Sequence, residues 1–376
     1  MSAIDIVIPC YNYARFLRPC VESVLTQTGV HLRILIIDDA SSDNTPEVGG
    51  ELAGRDARIA LRRNTKNKGL IATANEGIMD WATAKYSLLL SADDALTPGA
   101  LERAVKVMDQ HSDVGMVYGM ASIISDDDSG MMDSPESASF KYRIVPGMQF
   151  LKQVCEHWAG VPTPTAVHRT ELQHRIGGYL PGLPRTSDVE MWMRIATQAN
   201  IAVIHTLQGY YRWHSSNMSL DYTDRALSDL DEQYKTIDEV YRSWGSHLEE
   251  FASWIDMAKL RLARQACWMA GVAFDRGDVE GASTCLNFAK EVYPLRWRLT
   301  SWWKAQVKSI AGPALTGVLK RLVRGSNANL GTVSFAPYFP GEIFGWWPEA
   351  QEYTAVTGSQ KAAPTGVSRG KPDEYR

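Results

Sequence analysis

The sequence predicts an α/β fold, with a mixed, mainly parallel sheet flanked by helices and a helical appendage at its C-terminal end. From residue 4 to about residue 120, short apolar runs alternate with segments of helical period, which is typical of parallel strands joined by crossover helices. From about residue 225 to about residue 324, only the helical period remains. The 376 residues suffice for two or three folded units.

The strands and helices can be placed in order along the chain. Apolar runs bounded by turn-forming residues predict strands at 4–8, 33–37, 58–61, 86–90 and 114–118. A polar loop at 125–137 precedes a predicted helix at 147–157, a short strand at 165–168 and an amphipathic helix at 188–199. The apolar stripe of that last helix consists of Val189, Trp192, Met193 and Ala196.

Two apolar stripes at helical spacing predict a pair of helices on either side of Arg276-Gly277-Asp278. The stripes consist of Leu260, Ala263, Cys267, Gly271 and Phe274, and of Ala282, Leu286, Ala289 and Val292. The pair resembles one tetratricopeptide-type repeat, although such repeats normally stack on neighbours. The predicted units are therefore residues 1–222, a helical region at 223–324 and a largely irregular tail at 325–376.

The overall composition gives no reason to expect a nucleic-acid partner. The net charge is -4, from 39 basic and 43 acidic residues, so the molecule as a whole does not attract polyanions. The five cysteines lack a Cys-x-x-Cys pair and are predicted to be buried thiols in a reducing compartment. No signal-peptide pattern and no apolar run of about 18 to 20 residues is present. We therefore expect a cytoplasmic protein, either free or peripheral on the inner face of the membrane.

A basic segment at 296–324 contains tryptophans and no acidic residue. Its charged and aromatic residues are Arg296, Trp297, Arg298, Trp302, Trp303, Lys304, Lys308, Lys320, Arg321 and Arg324. Such a segment suits an anionic membrane surface. It equally suits a solvated helix that packs on the protein through its tryptophans, and Pro313 argues against one continuous helix.

Polar residues follow three of the predicted strands, at the sheet edge where open parallel sheets bind ligands. Tyr11-Asn12 follows the first strand, Asp38-Asp39 the second and Asp93-Asp94 the fourth. Adjacent carboxylates repel unless a cation or hydrogen-bond donors offset their charge, so the two acid pairs favour a divalent metal site. Either pair alone is also typical of a turn that bonds its own backbone.

Several sequence runs resemble the family 2 inverting glycosyltransferases of the GT-A fold. The runs are Ile-Val-Ile-Pro-Cys-Tyr-Asn from Ile6, Ile-Asp-Asp-Ala-Ser-Ser-Asp from Ile37, Asn-Lys-Gly from Asn67, and Ser-Ala-Asp-Asp from Ser91. The resemblance continues through 186–194 and 211–216 and covers about residues 4–220. It implies transfer of a sugar from a nucleotide-diphosphate-sugar, with a UDP-sugar favoured, to a hydroxyl of a glycan or glycolipid, in bacterial-type cell-surface polysaccharide or glycolipid synthesis.

The resemblance also implies roles for individual residues. Asp39 would accept a hydrogen bond from the base or ribose, and a carboxylate suits the N–H of a uracil-type base. Asp94 would coordinate Mn²⁺ or Mg²⁺, while Asp93 would lie near the ribose. The full set of implied donor-binding residues is Pro9, Tyr11, Asn12, Asp39, Lys68, Gly69 and Asp93. His214 occupies a position that in relatives can complete the metal site or contact the diphosphate, but a histidine after an aromatic run is also typical of a packed or solvated side chain.

Asp188 matches the base that takes the proton from the acceptor hydroxyl. The spacing Ser187-x-x-Glu190 is also that of a capping box, and we assign Glu190 mainly to the cap. The helix dipole is expected to lower the pKa of Asp188. Arg194 is expected either on the helix surface or paired with a nearby acid.

One position departs from the family pattern. Ala74 stands where many relatives carry arginine, so Arg62, Lys66 or Lys68 is expected to supply the missing cation. Two other functions are compatible with an acid-rich sheet edge. A sugar nucleotidyltransferase would carry a phosphate-binding loop rich in glycine and basic residues after the first strand, and residues 9–13 do not form such a loop. A non-catalytic GT-A-fold docking protein would have no need of Asp39, Asp93, Asp94 and Asp188 together.

Overall fold

The computed structural model describes residues 1–126, 140–158, 160–214, 217, 222–310, 342–345 and 354–356. Several predictions lie outside these residues. They concern most of the polar loop at 125–137, the end of the family resemblance at Ser215-Ser216, the basic segment beyond residue 310 with Pro313, and most of the tail.

Eleven strands are found in the described residues, and they form one sheet. Their bounds are β1 Ala3–Cys10, β2 His31–Asp38, β3 Ile59–Arg63, β4 Tyr86–Leu89, β5 Ala95–Leu96, β6 Val114–Ser125, β7 Phe140–Val145, β8 Val167–Arg169, β9 Asn200–Trp213, β10 Ile343–Phe344 and β11 Thr354–Val356. The five strands predicted before residue 120 are all present. Strands β10 and β11 place short parts of the predicted irregular tail in the sheet, against β6 and β7.

The sheet order is β11-β7-β9-β6-β8-β4-β1-β2-β3, with β5 paired to β9 and β10 to β6. Strands β3, β2, β1 and β4 are parallel, and β6 is parallel to β9. Strand β8 runs antiparallel between β4 and β6, and β7 runs antiparallel to β9. The prediction of a mixed, mainly parallel sheet is confirmed.

The helices are α1 Ala14–Leu25, α2 Thr45–Arg55, α3 Leu70–Asp80, α4 Ala100–Gln110, α5 Gly147–His157, α6 Thr170–Ile176, α7 Ser187–Ala196, α8 Tyr222–Val240, α9 Glu249–Arg276, α10 Val279–Val292 and α11 at 300–310. Helix α7 ends at Ala196, three residues before the predicted end. Thr197 Oγ1 donates to the Arg194 carbonyl at 2.7 Å, and the chain enters β9 at Asn200.

The predicted helix pair is present as α9 and α10. Gly277 has a φ of 82°, which ends α9 in the left-handed region where glycine carries no steric cost. Asp278 then caps α10 by accepting the Gly281 N–H at 2.8 Å. Apolar residues of α9 and α10 share one core, to which Leu230 of α8 and Ala305 of α11 also belong.

The helical region also shares a core with the sheet. Phe251, Trp254 and Ile255 of α9 lie in the same buried cluster as Tyr118 of β6 and Val203 of β9. A boundary at residue 222 remains a prediction, and it coincides with the first residue of α8. No helix in the described ranges combines the length and the hydropathy needed to cross a bilayer. All five cysteines are free thiols and buried, as predicted.

Candidate active site

A cavity of about 940 Å³ lies beyond the carboxyl ends of β1, β2 and β4. Its walls come from the turns after these strands, from the start of α3 and from the segment that leads into α7. Of the predicted site residues, those that line it are Pro9, Tyr11, Asn12, Asp39, Gly69, Asp93, Asp94 and Asp188. The volume is within the range of sites for small ligands and cofactors. The fold therefore brings together predicted site residues up to 179 positions apart in the sequence, from Pro9 to Asp188.

The turn after β1 is fastened to the turn after β2. Asn12 has a φ of 57°, a conformation that asparagine adopts more readily than most residues. Its Oδ1 accepts the Ser42 backbone N–H at 2.8 Å, and its own N–H donates to Ser41 Oγ at 2.9 Å. The Asn12 side chain thus fixes the shape of this wall of the cavity.

Asp39 holds the loop that precedes α3. Its Oδ1 accepts from Asn64 Nδ2 at 2.8 Å, and its Oδ2 accepts the Gly69 N–H at 2.9 Å. The Lys68 N–H reaches both oxygens, at 3.0 and 3.1 Å. The Lys68 ammonium instead pairs with Glu76 at 2.7 Å and does not line the cavity. Asp39 therefore faces the cavity while organising its rim, and direct donor binding by the Lys68 ammonium remains a prediction.

Asp93 and Asp94 form the acid pair after β4. Burial, and then the charge of Asp93, hold the pKa of Asp94 well above its usual range. Asp94 Oδ1 accepts the Arg212 backbone N–H at 3.0 Å. A divalent cation would offset this repulsion, so the pair fits the metal that the resemblance implies. No group of three or more acidic, histidine or cysteine side chains in the described chain is arranged to hold a metal ion by itself, and magnesium sites commonly complete their coordination with substrate phosphates and water.

His214 lies behind the acid pair. Its Nε2 is 3.0 Å from Asp93 Oδ2, and its ring packs against the rings of Tyr13 and Phe16, with centroids 5.3 and 4.8 Å away. The His214 backbone N–H donates to Asn217 Oδ1 at 2.6 Å. The ring is therefore both packed and in contact with the acid pair, and its role as a metal ligand remains a prediction.

Asp188 lies at the start of α7, on another wall of the cavity. Its Oδ1 accepts the Val189 N–H at 2.7 Å, and Thr163 Oγ1 donates to its Oδ2 at 3.3 Å. Burial raises the pKa of Asp188 to about 6, against the smaller lowering effect of these two hydrogen bonds. The net shift is therefore opposite to the one expected from the helix dipole, because loss of hydration raises the pKa more than the other influences lower it. A pKa near 6 leaves the carboxylate ionised at pH 7 and makes it a stronger base than an ordinary aspartate.

The predicted capping box at the start of α7 is wrong. The N-cap residue is Thr186, and its side chain makes no capping hydrogen bond. Glu190 is fully buried and pairs with Arg194, with an Nε–Oε1 distance of 2.6 Å. Arg194 also donates to the carbonyls of Ile176 and Gly178 at 2.7 Å. The alternative in which Arg194 pairs with a nearby acid is therefore the observed one, and the pair ties α7 to the segment after α6.

Other residues line the cavity without having been predicted there. Among them are Arg15, Thr163, Tyr179 and Arg185. Ala74 also lines the cavity, whereas the expected replacement cations Arg62 and Lys68 lie outside it, beside Glu76. Arg15 and Arg185 are cations at the cavity itself. Arg15 lies three residues after the Tyr11-Asn12 turn, so its position at the cavity could have been predicted from the sequence.

The fold and the cavity define the class of protein. The structure resembles S. aureus TarS 1-349 in complex with UDP-GlcNAc, with a TM-score of 0.59 and 16% identity, over 94% of this chain and 99% of that chain. It also resembles the mannosyltransferase PcManGT from Pyrobaculum calidifontis in complex with GDP-Man and Mn²⁺, with a TM-score of 0.50 and 16% identity, over 82% and 86%. At this identity the likeness shows the fold, which is GT-A.

The family follows from the sequence match. Residues 5–166 match the model of glycosyl transferase family 2, so this segment of the α/β part belongs to that family and is a glycosyltransferase domain. The chondroitin synthase of Pasteurella multocida (strain Pm70) is 36% identical over 115 residues. That match covers 31% of this chain and only 12% of the length of the synthase.

Proposed function

We propose that the protein is a metal-dependent inverting glycosyltransferase that moves a sugar from a UDP-sugar to a hydroxyl of a glycan or glycolipid, in bacterial-type cell-surface polysaccharide or glycolipid synthesis. The observation that carries the proposal is that one cavity contains both an acid pair suited to a metal–diphosphate and a separate carboxylate with a pKa near 6. A base on one wall and a leaving-group site on another are what displacement at an anomeric carbon requires.

Asp188 would act as the base. Thr163 and the Val189 N–H hold its carboxylate in one orientation, and the acceptor hydroxyl would donate its proton to Asp188 as its oxygen bonds to the anomeric carbon. The bond from that carbon to the diphosphate breaks on the opposite face, so the configuration inverts. Proton removal within the transition state is the contribution expected from a positioned general base.

Pro9, Tyr11, Asn12, Asp39 and Gly69 would hold the nucleotide, and Asp93 and Asp94 would lie at its ribose and diphosphate. Asp94, with His214 as a further predicted ligand, would hold Mn²⁺ or Mg²⁺. The ion would supply positive charge where the diphosphate leaves. UDP is favoured because a carboxylate at the position of Asp39 suits the N–H of uracil, and the TarS neighbour binds UDP-GlcNAc.

A donor screen tests this function. We expect purified protein with Mn²⁺ to release nucleoside diphosphate from a UDP-sugar, and to do so faster with a hydroxyl acceptor than with water. Release of nucleoside diphosphate from GDP- or dTDP-sugars instead would show that the donor is not a UDP-sugar, while the reaction would still be glycosyl transfer. Pyrophosphate release from a nucleoside triphosphate plus a sugar phosphate would indicate a nucleotidyltransferase. Failure to bind any sugar nucleotide would favour a docking protein.

We also propose that the basic segment contacts an anionic membrane on its cytoplasmic face. In α11, Trp302 and Ala305 pack against the core of the helical region. Trp303, Val307 and Ile310 follow one another at helical spacing and have exposed fractions of 56%, 60% and 86%. Cations flank this stripe and residues 296–310 contain no acid. Trp302 thus packs on the protein while Trp303 is exposed, so each of the two arrangements considered from the sequence applies to one of these tryptophans. The exposed stripe suits a lipid headgroup region.

Membrane contact predicts a specific loss of vesicle binding. The double change Trp303→Glu, Val307→Glu is expected to lower affinity for phosphatidylglycerol-containing vesicles by about tenfold or more, because it removes buried apolar area and adds repulsion. Val279→Glu on α10 is the matched control, since Val279 is 56% exposed outside the stripe. Sedimentation with vesicles measures both. Equal binding by the two variants, or no binding by the original chain, would contradict the membrane contact.

A further inference from the structure

Helix α8 contacts the residues that lead into α7, the helix that carries Asp188. The hydroxyls of Thr186 and Thr236 are 2.7 Å apart, and both side chains are buried. Glu232 Oε2 accepts the Arg185 backbone N–H at 3.0 Å and lies 3.4 Å from Thr186 Oγ1. Two side chains of the helical region thus hold the N-terminal end of α7.

Thr186 is the N-cap residue of α7, but its hydroxyl does not cap the helix. An N-cap threonine ordinarily accepts the backbone N–H of the second or third helical residue, which here is Asp188 or Val189. In this chain the Thr186 hydroxyl is turned toward α8, and the Val189 N–H is accepted by Asp188 Oδ1 at 2.7 Å. The carboxylate therefore takes the hydrogen bond that the N-cap hydroxyl would otherwise make.

We propose that α8 positions the catalytic base: Thr236 and Glu232 hold the Thr186 hydroxyl away from α7, which leaves the Val189 N–H to the Asp188 carboxylate. The proposal rests on the proposed function only in naming Asp188 as the base. Thr236 and Glu232 are positioning residues, because neither lines the cavity. With Oδ1 fixed by Val189, Oδ2 is directed to Thr163 Oγ1 at 3.3 Å, and the carboxylate has one orientation toward the cavity.

After burial, the Val189 N–H has the largest effect on the pKa of Asp188. Among the hydrogen bonds that lower the pKa of Asp188, that from Val189 is the largest and that from Thr163 comes next. Tyr179, from the segment after α6, interacts electrostatically with both Asp188 and Arg194. Of the other charged groups near the start of α7, Glu232 of α8 accepts the Arg185 backbone N–H, and Glu190 and Arg194 pair with each other. Burial also raises the pKa of Tyr179, which stays uncharged at neutral pH.

The change Thr236→Val removes the hydroxyl that holds Thr186 and keeps the shape of the side chain. We expect the released Thr186 hydroxyl to accept the Val189 N–H, so Asp188 loses a bond that favours its charged form. The pKa of Asp188 should then rise above its value of about 6, by about one unit. The acid limb of the rate profile should move to higher pH by the same amount, with the KM for the donor unchanged.

Two matched variants separate this competition from a general structural effect. In Thr186→Val, Thr236→Val no hydroxyl remains to take the Val189 N–H, and replacing both partners by apolar groups of the same shape is nearly neutral. The pKa of Asp188 should therefore return to the value in the original chain. Thr236→Ser keeps a hydroxyl and should also leave it unchanged. Asp231→Asn, at an exposed Lys235 pair on the same helix, is the control.

The measurement is an NMR titration of the Asp188 carboxyl carbon in the full chain, with the signal assigned by its absence in Asp188→Asn. It needs no turnover, so a chain that uses no sugar nucleotide would defeat the proposed function while the titration still decides the role of α8. An unchanged titration in Thr236→Val, or an equal shift in the double variant, would overturn the proposal. If Thr236→Val does not fold, Thr236→Ala removes the same hydroxyl without altering a charge and should shift the pKa in the same direction.

Discussion

Asp188→Asn is expected to lower turnover by about 10³-fold, within the 10²–10⁴ contribution typical of a positioned general base. The amide cannot accept a proton at neutral pH, but its oxygen can still accept the Val189 N–H, so the side chain should keep its place. A loss of this size corresponds to about 4 kcal/mol of transition-state stabilisation. Release of nucleoside diphosphate at saturating acceptor measures it.

Binding of the donor should survive this change, because Asp188 lies apart from the turns after β1, β2 and β4 that form the predicted nucleotide pocket. Calorimetric titration with UDP-sugar and Mn²⁺ would show an affinity within about twofold of the original. Asp256→Asn, at a side chain that is 79% exposed, makes the same chemical change away from the cavity and should leave turnover intact. Full turnover by Asp188→Asn would mean that another group is the base.

Asp94→Asn is expected to raise the stability of the metal-free protein while lowering its activity. The buried carboxylate of Asp94 stands beside Asp93, and their repulsion is one cause of its raised pKa. An amide removes that repulsion and can still accept the Arg212 N–H. The metal-free variant should therefore melt at a higher temperature than the metal-free original chain.

The same change should lower turnover at least about 100-fold, because a ligand for the cation that neutralises the leaving diphosphate is lost, and such stabilisation is worth several kcal/mol. Titration with Mn²⁺ should show weaker binding. EDTA should abolish the activity of the original chain, and added Mn²⁺ or Mg²⁺ should restore that activity. Undiminished activity after exhaustive EDTA treatment, together with an active Asp94→Asn, would exclude an essential role for a divalent ion at this pair.

Strands β1, β2 and β4, which end at the cavity, could be predicted because their signals are local. Each is a continuous apolar run, and each ends in polar residues that a parallel sheet must bring to one edge. Strand β9 was missed. Its apolar pattern is interrupted by His205, Thr206 and Gln208, where its register with β6 shifts around Met120, so neither continuous hydrophobicity nor alternation marked it.

The side of the cavity that carries Asp188 depends on contacts that the sequence does not encode locally. Glu190 has the spacing of a cap, but burial makes Arg194 its partner. The pKa of Asp188 depends mainly on how deeply the side chain is buried. Burial of this kind cannot be read from its position in the first turn of a helix. The contact between Thr186 and Thr236 joins residues 50 positions apart, and no spacing rule links two threonines across that distance.

The core shared by the helical region and the sheet bears on how such a protein can diversify. Because Phe251, Trp254 and Ile255 complete a cluster that includes sheet residues, cutting the chain at residue 222 would uncover part of the interior of the α/β unit. Exchange of the helical region between relatives would therefore require the matching surface of α5 and α7 to be exchanged with it. The unit that must fold together is therefore longer than the segment that carries the recognisable motifs, and a change in the helical region would also alter the stability of the α/β unit.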